Sequence, residues 1–342
     1  MAKAPTSVVG LDLGRSSLKA VLLHRSSADR LSITHYSTQY TPTNLQSPDQ
    51  LAADIRSLLK SMGGSAKACA VAVSSPEAII RIIDQPETPT NLLRDALRLN
   101  GMTLLNQDCR QFVLDCDRIP VSAPETLEGG KERYLVGGLP RPQVDTVQKA
   151  VETAFGNFSN FQLGPVSLFN ALESANPETF TKGGFLLVDI GAVSSTIILG
   201  ARRELVLVRT VDIGGSTILD ALEALSGEPR ESVIVALQQE DEMMIENGRV
   251  AMMNLSREIA NSIGFFEARR EEKISKIHVS GGAAKSPALL RILKDEVHLA
   301  CEAWNPLAGC DISVAASRRL ALADTAFDLH VAFGAAAELI KS

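Results

Sequence analysis

Gly10-Leu11-Asp12-Leu13-Gly14-Arg15-Ser16-Ser17-Leu18-Lys19 is the stretch around which the chain is organised, and Asp189-Ile190-Gly191-Ala192-Val193-Ser194-Ser195-Thr196 partly echoes it. In each, an apolar run ends in Asp-x-Gly, small hydroxyl residues follow, and a second apolar run leaves. That pattern predicts strand, tight turn, strand. Glycine opens backbone conformations closed to other residues, so main-chain N–H groups can crowd around an anion. The aspartate stands where a carboxylate can hold a divalent cation against phosphate oxygens. Two such hairpins facing each other would make a nucleotide clamp, whereas one alone is an ordinary Asp-Gly turn.

Working outward, 342 residues are too many for one small core and call for two domains or large lobes. With 45% hydrophobic and 22% charged residues the composition is that of an ordinary soluble globular protein. A formal charge of −6 argues against a nucleic-acid partner, which needs a basic face to release counterions. No apolar run reaches the ~18 residues that span a bilayer. Met1–Thr6 leads straight into a strand without a signal-peptide core. The five cysteines, Cys69, Cys109, Cys116, Cys301 and Cys310, form no C-x-x-C pair and read as reduced thiols of a cytosolic protein. The five histidines are scattered, so no zinc site is expected.

Residues 7–13 and 18–23 form the first predicted hairpin, with 34–41 continuing the sheet. Ser47-Pro48-Asp49 opens a helix as N-cap serine, first-turn proline and first-turn acid, and Gly63-Gly64 ends it. Lys67–Ser74 reads as an alternating strand and Ala78–Ile83 as another. Between 87 and 162 the texture becomes that of a small inserted α+β subdomain, with a polar loop at Pro124–Lys131. The expected division is 1–86 first lobe, 87–162 insertion, 163–183 return to the first lobe, 184–325 second lobe, and 326–342 a C-terminal helix packed on the core. In the second lobe, 204–213 is a strand ending in Gly214-Gly215 before a helix. That glycine pair would leave free N–H groups for an anion, or be a plain tight turn. In the long helical stretch to about Glu272, Met253, Ile259, Ile263 and Phe266 mark one face, and the methionines, Phe265 and Phe266 are assigned to the core. Ile277–Ser280 is a strand into Gly281-Gly282, and Ser286-Pro287 repeats the helix-start signature.

Four glycine-centred turns thus stand at strand ends, at 14, 191, 214–215 and 281–282, and in open α/β folds ligands bind outside such ends. There is no G-x-x-x-x-G-K-[ST], because Gly130-Lys131 is followed by Glu132, and no G-x-G, which removes the dinucleotide and protein-kinase loops.

In this order the motifs resemble those of the actin-like ATPase superfamily, an α/β fold of two ribonuclease H-like lobes. Within it the chain resembles the PilM family of type IV pilus assembly, relatives of FtsA. "VVGLDLGRSSLKAVLL" from Val8 and "FLLVDIGAVSSTIILG" from Phe185 are similar to the two phosphate motifs. "VRTVDIGGSTILDAL" from Val208 resembles the segment of an arginine and a double glycine before a helix. "IHVSGGAAKSPALLRIL" from Ile277 resembles the adenosine motif. The insertion and the helix "NLSREIANSIGFFEARR" carry the likeness to PilM.

The resemblance implies ATP and Mg2+, with Asp12 and Asp189 flanking the ion. Backbone around Gly14–Ser17 and Gly191–Ser194 would cradle the phosphates. The hydroxyls of Ser16, Ser17, Ser195 and Thr196 would add donors. Lys19 would offset phosphate charge or be a plain strand lysine. Gly214 and Gly215 would close on sugar or phosphate, and Gly281, Gly282 and Ala283 would pack against adenosine. Arg15 departs from the small serine usual in relatives, and would clamp a γ-phosphate or crowd the loop. No residue is nominated to activate water; Glu77 and Asp84 read as solvated carboxylates. The resemblance further implies slow ATP turnover at most and a partner in the N-terminal cytoplasmic tail of a PilN-like inner-membrane protein, taken in a groove beside the insertion. That partner would hold the protein peripherally at the inner membrane without direct insertion. An FtsA-like filament former, self-associating, and a small-molecule kinase stay open as alternatives.

Overall fold

The opening segment forms a hairpin in the computed structural model, which describes residues 5–27, 30–122, 127, 129–156, 158 and 160–341. Strands β1 (Ser7–Leu13) and β2 (Leu18–Ser27) pair antiparallel, from Ser7 opposite His24 to Leu13 opposite Leu18, and β3 (Arg30–Gln39) pairs antiparallel with β2. Helix α1 (Pro48–Met62) follows. The Ser47 hydroxyl accepts from Gln50 N at 3.4 Å, and Gly63 closes the far end at φ 78°. Leu51, Ile55 and Leu58 are fully buried on its inner face, and each contributes about 1.5–3 kcal/mol by leaving water. Strand β4 (Ala68–Val73) then runs parallel to β1. All its residues are buried, so it is a central strand covered on both faces rather than the alternating one expected.

The insertion is a three-stranded antiparallel sheet of order β5-β7-β6: β5 (Ile79–Pro86), then helices α2 (Thr90–Leu99) and α3 (Gly101–Leu104), then β6 (Phe112–Arg118), β7 (Lys131–Pro140) and α4 (Arg141–Phe155). Because β5 pairs with β7 along its whole length, the small sheet starts at Ile79, upstream of the expected boundary at 87. Its core holds Ile79, Leu93, Leu97, Tyr134 and Val136. Asp84 is not a free surface carboxylate: it accepts from Nε and Nη2 of the buried Arg133 at 2.7 and 2.9 Å. Of the loop expected at 124–131, residues 124–126 and 128 lie outside the described residues, and Lys131 already begins β7. Strand β8 (Asn160–Leu163), parallel to β4, and helix α5 (Gly164–Ala175) complete this part.

After α6 (Pro177–Lys182), the second sheet repeats the plan. Strands β9 (Gly184–Ile190), β10 (Ser195–Ala201) and β11 (Glu204–Val211) form an antiparallel meander. Helices α7 (Gly215–Ser226), α8 (Arg230–Gln238) and α9 (Glu242–Arg270) lead to β12 (Lys276–Ser280), parallel to β9. Helix α10 (Pro287–Val297) leads to β13 (Ala300–Ala303), parallel to β12. The order is β11-β10-β9-β12-β13. Strand β14 (Asp311–Ile312) then joins the edge of the first sheet beside β3, giving β14-β3-β2-β1-β4-β8, and α11 (Ala316–Thr325) and α12 (His330–Lys341) end the chain. Both sheets therefore carry the same succession of meander and two parallel strands.

Two compact units result: Met1–Ser174, Cys310–Val314 and Val331–Ser342 in one, Ala175–Gly309 and Ala315–His330 in the other. The first division falls between Ser174 and Ala175, nine residues before the boundary expected at 183–184. In the first unit α12 lies so close to β1 that a Cβ on Gly10 would come within 2.0 Å of the Ala332 carbonyl oxygen. No single helix among the described residues is long and apolar enough to cross a membrane.

On α9 the buried face is Met252, Leu255, Ile259 and Phe266, whereas Met253 is 55% and Phe265 44% exposed. Two of the residues assigned to the core thus lie outside it, and Phe265 instead carries the Arg269 guanidinium 5.9 Å above its ring. At the end of α9, Arg270 pairs with Glu204 of β11, and both are buried. Removing one partner strands the other charge in the core, so Glu204→Ala is expected to cost about 3–5 kcal/mol in urea unfolding. Glu178→Ala, which breaks an exposed pair with Lys182, is expected to leave the unfolding midpoint in place.

Candidate functional site

In the first unit, the turn between β1 and β2 is closed by the Gly14 N–H donating to Ser17 O at 3.2 Å. The Gly14 carbonyl accepts from the Thr43 hydroxyl at 2.6 Å. The amides of Ser16 and Ser17 meet no backbone acceptor among the described residues. Arg15 sits half-exposed at the tip, Ser16 is half-buried and Ser17 buried. Register places Asp12 opposite Lys19, and Lys19 Nζ lies 2.8 Å from Asp12 Oδ2 with both side chains largely shielded. Lys19 is therefore the counter-ion of Asp12 rather than a plain strand lysine. Asp12 Oδ1 is buried with no hydrogen-bond partner. Buried acceptors are ordinarily satisfied, so this oxygen marks room for a donor or cation.

In the second unit, the turn between β9 and β10 has the same closure, Gly191 N–H to Ser194 O at 3.0 Å, and the amides of Ala192, Val193 and Ser194 meet no backbone acceptor among the described residues. Asp189 Oδ1 accepts from the Ser280 hydroxyl of β12 at 2.7 Å. Thr196, opposite Asp189 in the register, occupies the position that Lys19 has in the first hairpin.

Three expected roles change here. Ser195 is fully buried and its hydroxyl donates to Ile213 O at 2.6 Å, so it braces the end of β11 instead of offering a donor outward. The α7 N-terminus is not an open anion site: Gly215 N–H donates to Gly191 O, and Ser216 N–H to Ala192 O, each at 2.8 Å. Unsatisfied amides at a helix start take the acceptor at hand, and here that is the carbonyl side of the turn. Gly214 itself is buried between β11 and α7. Ala283, expected against adenosine, is buried in the apolar core, whereas a Cβ on Gly282 would meet nothing within 4 Å. Gly281 is required where it stands: φ is +80°, and a Cβ would lie 2.3 Å from Ile190 O and 3.1 Å from Asp189 Oδ1.

Sequence reasoning missed Thr43, which lies in a polar loop without periodicity or motif. It also passed over Asp212, although Asp212-Ile213-Gly214 is a third Asp-x-Gly and the aspartate is exposed at the end of β11. Glu77 accepts from Gln143, and Asp84 is engaged by Arg133. No cluster of three or more His, Cys, Asp or Glu among the described residues could hold a metal by itself.

With the geometry in place, comparisons become informative. The family model for type IV pilus assembly protein PilM matches residues 166–339, just over half of the chain. Among solved structures, the chain is similar to one in a PilM-PilN type IV pilus biogenesis complex, at 22% identity and TM-score 0.79, over 98% of this chain and 99% of that one. It is also similar to the ethanolamine utilization protein EutJ from Carboxydothermus hydrogenoformans, at 12% identity and TM-score 0.56, over 98% and 90%. These likenesses establish the fold, which is the actin-like, ribonuclease H-like one expected. No curated protein matches the chain by sequence.

Strand β12, whose Ser280 hydroxyl donates to Asp189, brings a pH dependence. His278 on β12 is pushed down from 6.5 to about 4, first by burial and then by the Lys276 charge, against the opposing pull of Glu302. The unfolded imidazole takes its proton near 6.5 while the folded one resists until about 4. Stability from this group is complete above 6.5 and is lost as pH falls through that window. Between roughly pH 7.5 and 5 the loss is expected to reach up to about 2 kcal/mol in urea titrations, and His278→Asn should flatten the profile.

Proposed function

The chain belongs to the family of type IV pilus assembly proteins named PilM, and from that premise we propose that it is an ATP-binding assembly protein that receives the tail of a PilN-like inner-membrane protein. ATP is bound through the turns at Gly14–Ser17 and Gly191–Ser194, whose uncommitted amides suit phosphate oxygens. The observation that carries this reading is Asp12: one buried carboxylate oxygen without a partner, at the foot of such a turn. These residues fit a magnesium ion, which is usually held by one or two carboxylates plus phosphate oxygens rather than by an all-protein cage. Asp12 and Asp189 are the carboxylates assigned to it. When bound, the ion supplies charge neutralisation to the phosphates; Arg15 and Lys19, the latter shared with Asp12, would offset phosphate charge at the first turn, and with Ser195 turned inward the hydroxyls of Ser16, Ser17 and Thr196 are the donors left for phosphate. Gly282 is the open face offered to the nucleoside.

Turnover is slow at most. No residue is nominated to activate water, and the two acids read as solvated carboxylates are engaged, Glu77 by Gln143 and Asp84 by Arg133. The partner reading is supported by the likeness to a chain solved in complex with PilN. The inserted subdomain also exposes Leu92, Leu99 and Met102 on α2 and α3, apolar surface suited to a peptide. The protein would then sit at the inner membrane through that partner.

Calorimetric titration with Mg–ATP and a peptide from the N-terminal tail of the co-encoded single-span partner tests both parts. Peptide binding that strengthens with ATP, without rapid phosphate release, is expected; fast, sugar-dependent ADP production or filaments without partner would overturn the reading. Asp12→Asn and Asp189→Asn should each weaken Mg–ATP binding at least about tenfold, about 1.4 kcal/mol. Unchanged affinity in both refutes the site.

A further inference from the structure

The two turns are gripped in the same place from different parts of the chain. In the second unit the Gly191 carbonyl is held by the Gly215 amide, four residues after β11 ends at Val211. In the first unit the Gly14 carbonyl is held by the Thr43 hydroxyl, four residues after β3 ends at Gln39. Each gripping residue thus lies on the segment that leaves the third strand of the meander and enters the helix behind it, α7 in one unit and α1 in the other. Both turns enclose four residues between paired strand positions, Leu13 with Leu18 and Ile190 with Ser195. The chemistry differs, a backbone amide in one and a side-chain hydroxyl in the other, but the acceptor is the same glycine carbonyl.

A trans peptide plane points its C=O and N–H in opposite directions. Fixing the Gly14 carbonyl toward Thr43 therefore fixes the N–H of the next residue, Arg15, in the direction away from Thr43. The loop that carries Thr43 is itself braced: Thr41 N–H donates to Gln39 O at 3.0 Å, Gln46 N–H to Asn44 Oδ1 at 2.9 Å, and Ser47 caps α1. A hydroxyl presented from a braced loop holds the peptide plane more firmly than a water would.

We propose that Thr43 is a positioning residue of the first phosphate turn, the counterpart of the Gly215 amide in the second, and that it sets the turn's amides for a nucleotide polyphosphate. The inference rests on the ATP reading above. Thr43 touches no phosphate; it acts through the Gly14–Arg15 peptide plane.

Thr43→Val keeps the side-chain shape and removes the donor, and Thr43→Ser restores it. Titrations of the full chain with ATP and with adenosine, and amide exchange of the ligand-free protein over residues 14–18, give separate readouts. Thr43→Val should weaken ATP binding about tenfold, leave adenosine affinity unchanged and speed exchange across the turn, while Thr43→Ser stays within about twofold of the wild type. Wild-type ATP affinity in Thr43→Val overturns the role of Thr43 and leaves the ATP reading standing. Equal losses for ATP and adenosine overturn it as well, since they point to general damage. A wild-type chain that binds no ATP overturns the proposed function and, with it, the phosphate role of Thr43.

Discussion

A hydrogen bond accepted by the carbonyl of the Asp-x-Gly glycine is the constraint on which the turn in each unit depends. A tight turn at the end of two strands has more amides than it can use internally, and its carbonyls must go somewhere. In each unit the carbonyl of the Asp-x-Gly glycine is bonded to the chain leaving the third strand, and the amides of Ser16 and Ser17 in one turn and of Ala192, Val193 and Ser194 in the other meet no backbone acceptor among the described residues. Sheet topology makes this possible. In both sheets the meander is followed by helix, one in the first sheet and three in the second, and then by a parallel strand on the far side of β1 or β9, so the chain leaving the third strand has to cross the hairpin to reach it. How the two turns are held follows from strand order as much as from local sequence.

The units differ in how they handle the aspartate. In the first, Lys19 neutralises one oxygen of a buried Asp12 and the other oxygen has no partner. In the second, Asp189 is less buried, takes a neutral hydroxyl from Ser280, and faces Thr196 where the first unit has lysine. Arg15 stands at the tip of the first turn, half-exposed, where the second turn has Ala192. The second turn is tied down by two α7 amides, those of Gly215 and Ser216.

Much of this was legible in the sequence because it rests on local rules. Asp-x-Gly between apolar runs gives a hairpin in both units, and Ser47-Pro48 and Ser286-Pro287 start helices as their chemistry requires. The illegible parts depend on contacts between residues distant in sequence. Nothing local says that the Ser195 hydroxyl turns inward to Ile213, that the Gly215 amide is consumed by Gly191, or that Thr43 reaches Gly14 across 29 positions. Short strands are equally silent: β14 is two residues long and exists only because β3 offers it an edge. Asp84 carried no signal of its partner, because a cross-strand pair with Arg133 depends on register. Met253 and Phe265 look like core residues by type, and only the rotation of α9 shows that they are not.

Amide hydrogen exchange of the wild-type chain with and without Mg–ATP tests the account most directly, namely the proposal that the turn built in each unit responds to nucleotide. Slowed exchange over both 12–19 and 189–196 is the predicted result. Slowing over neither segment, or over only one, would contradict it.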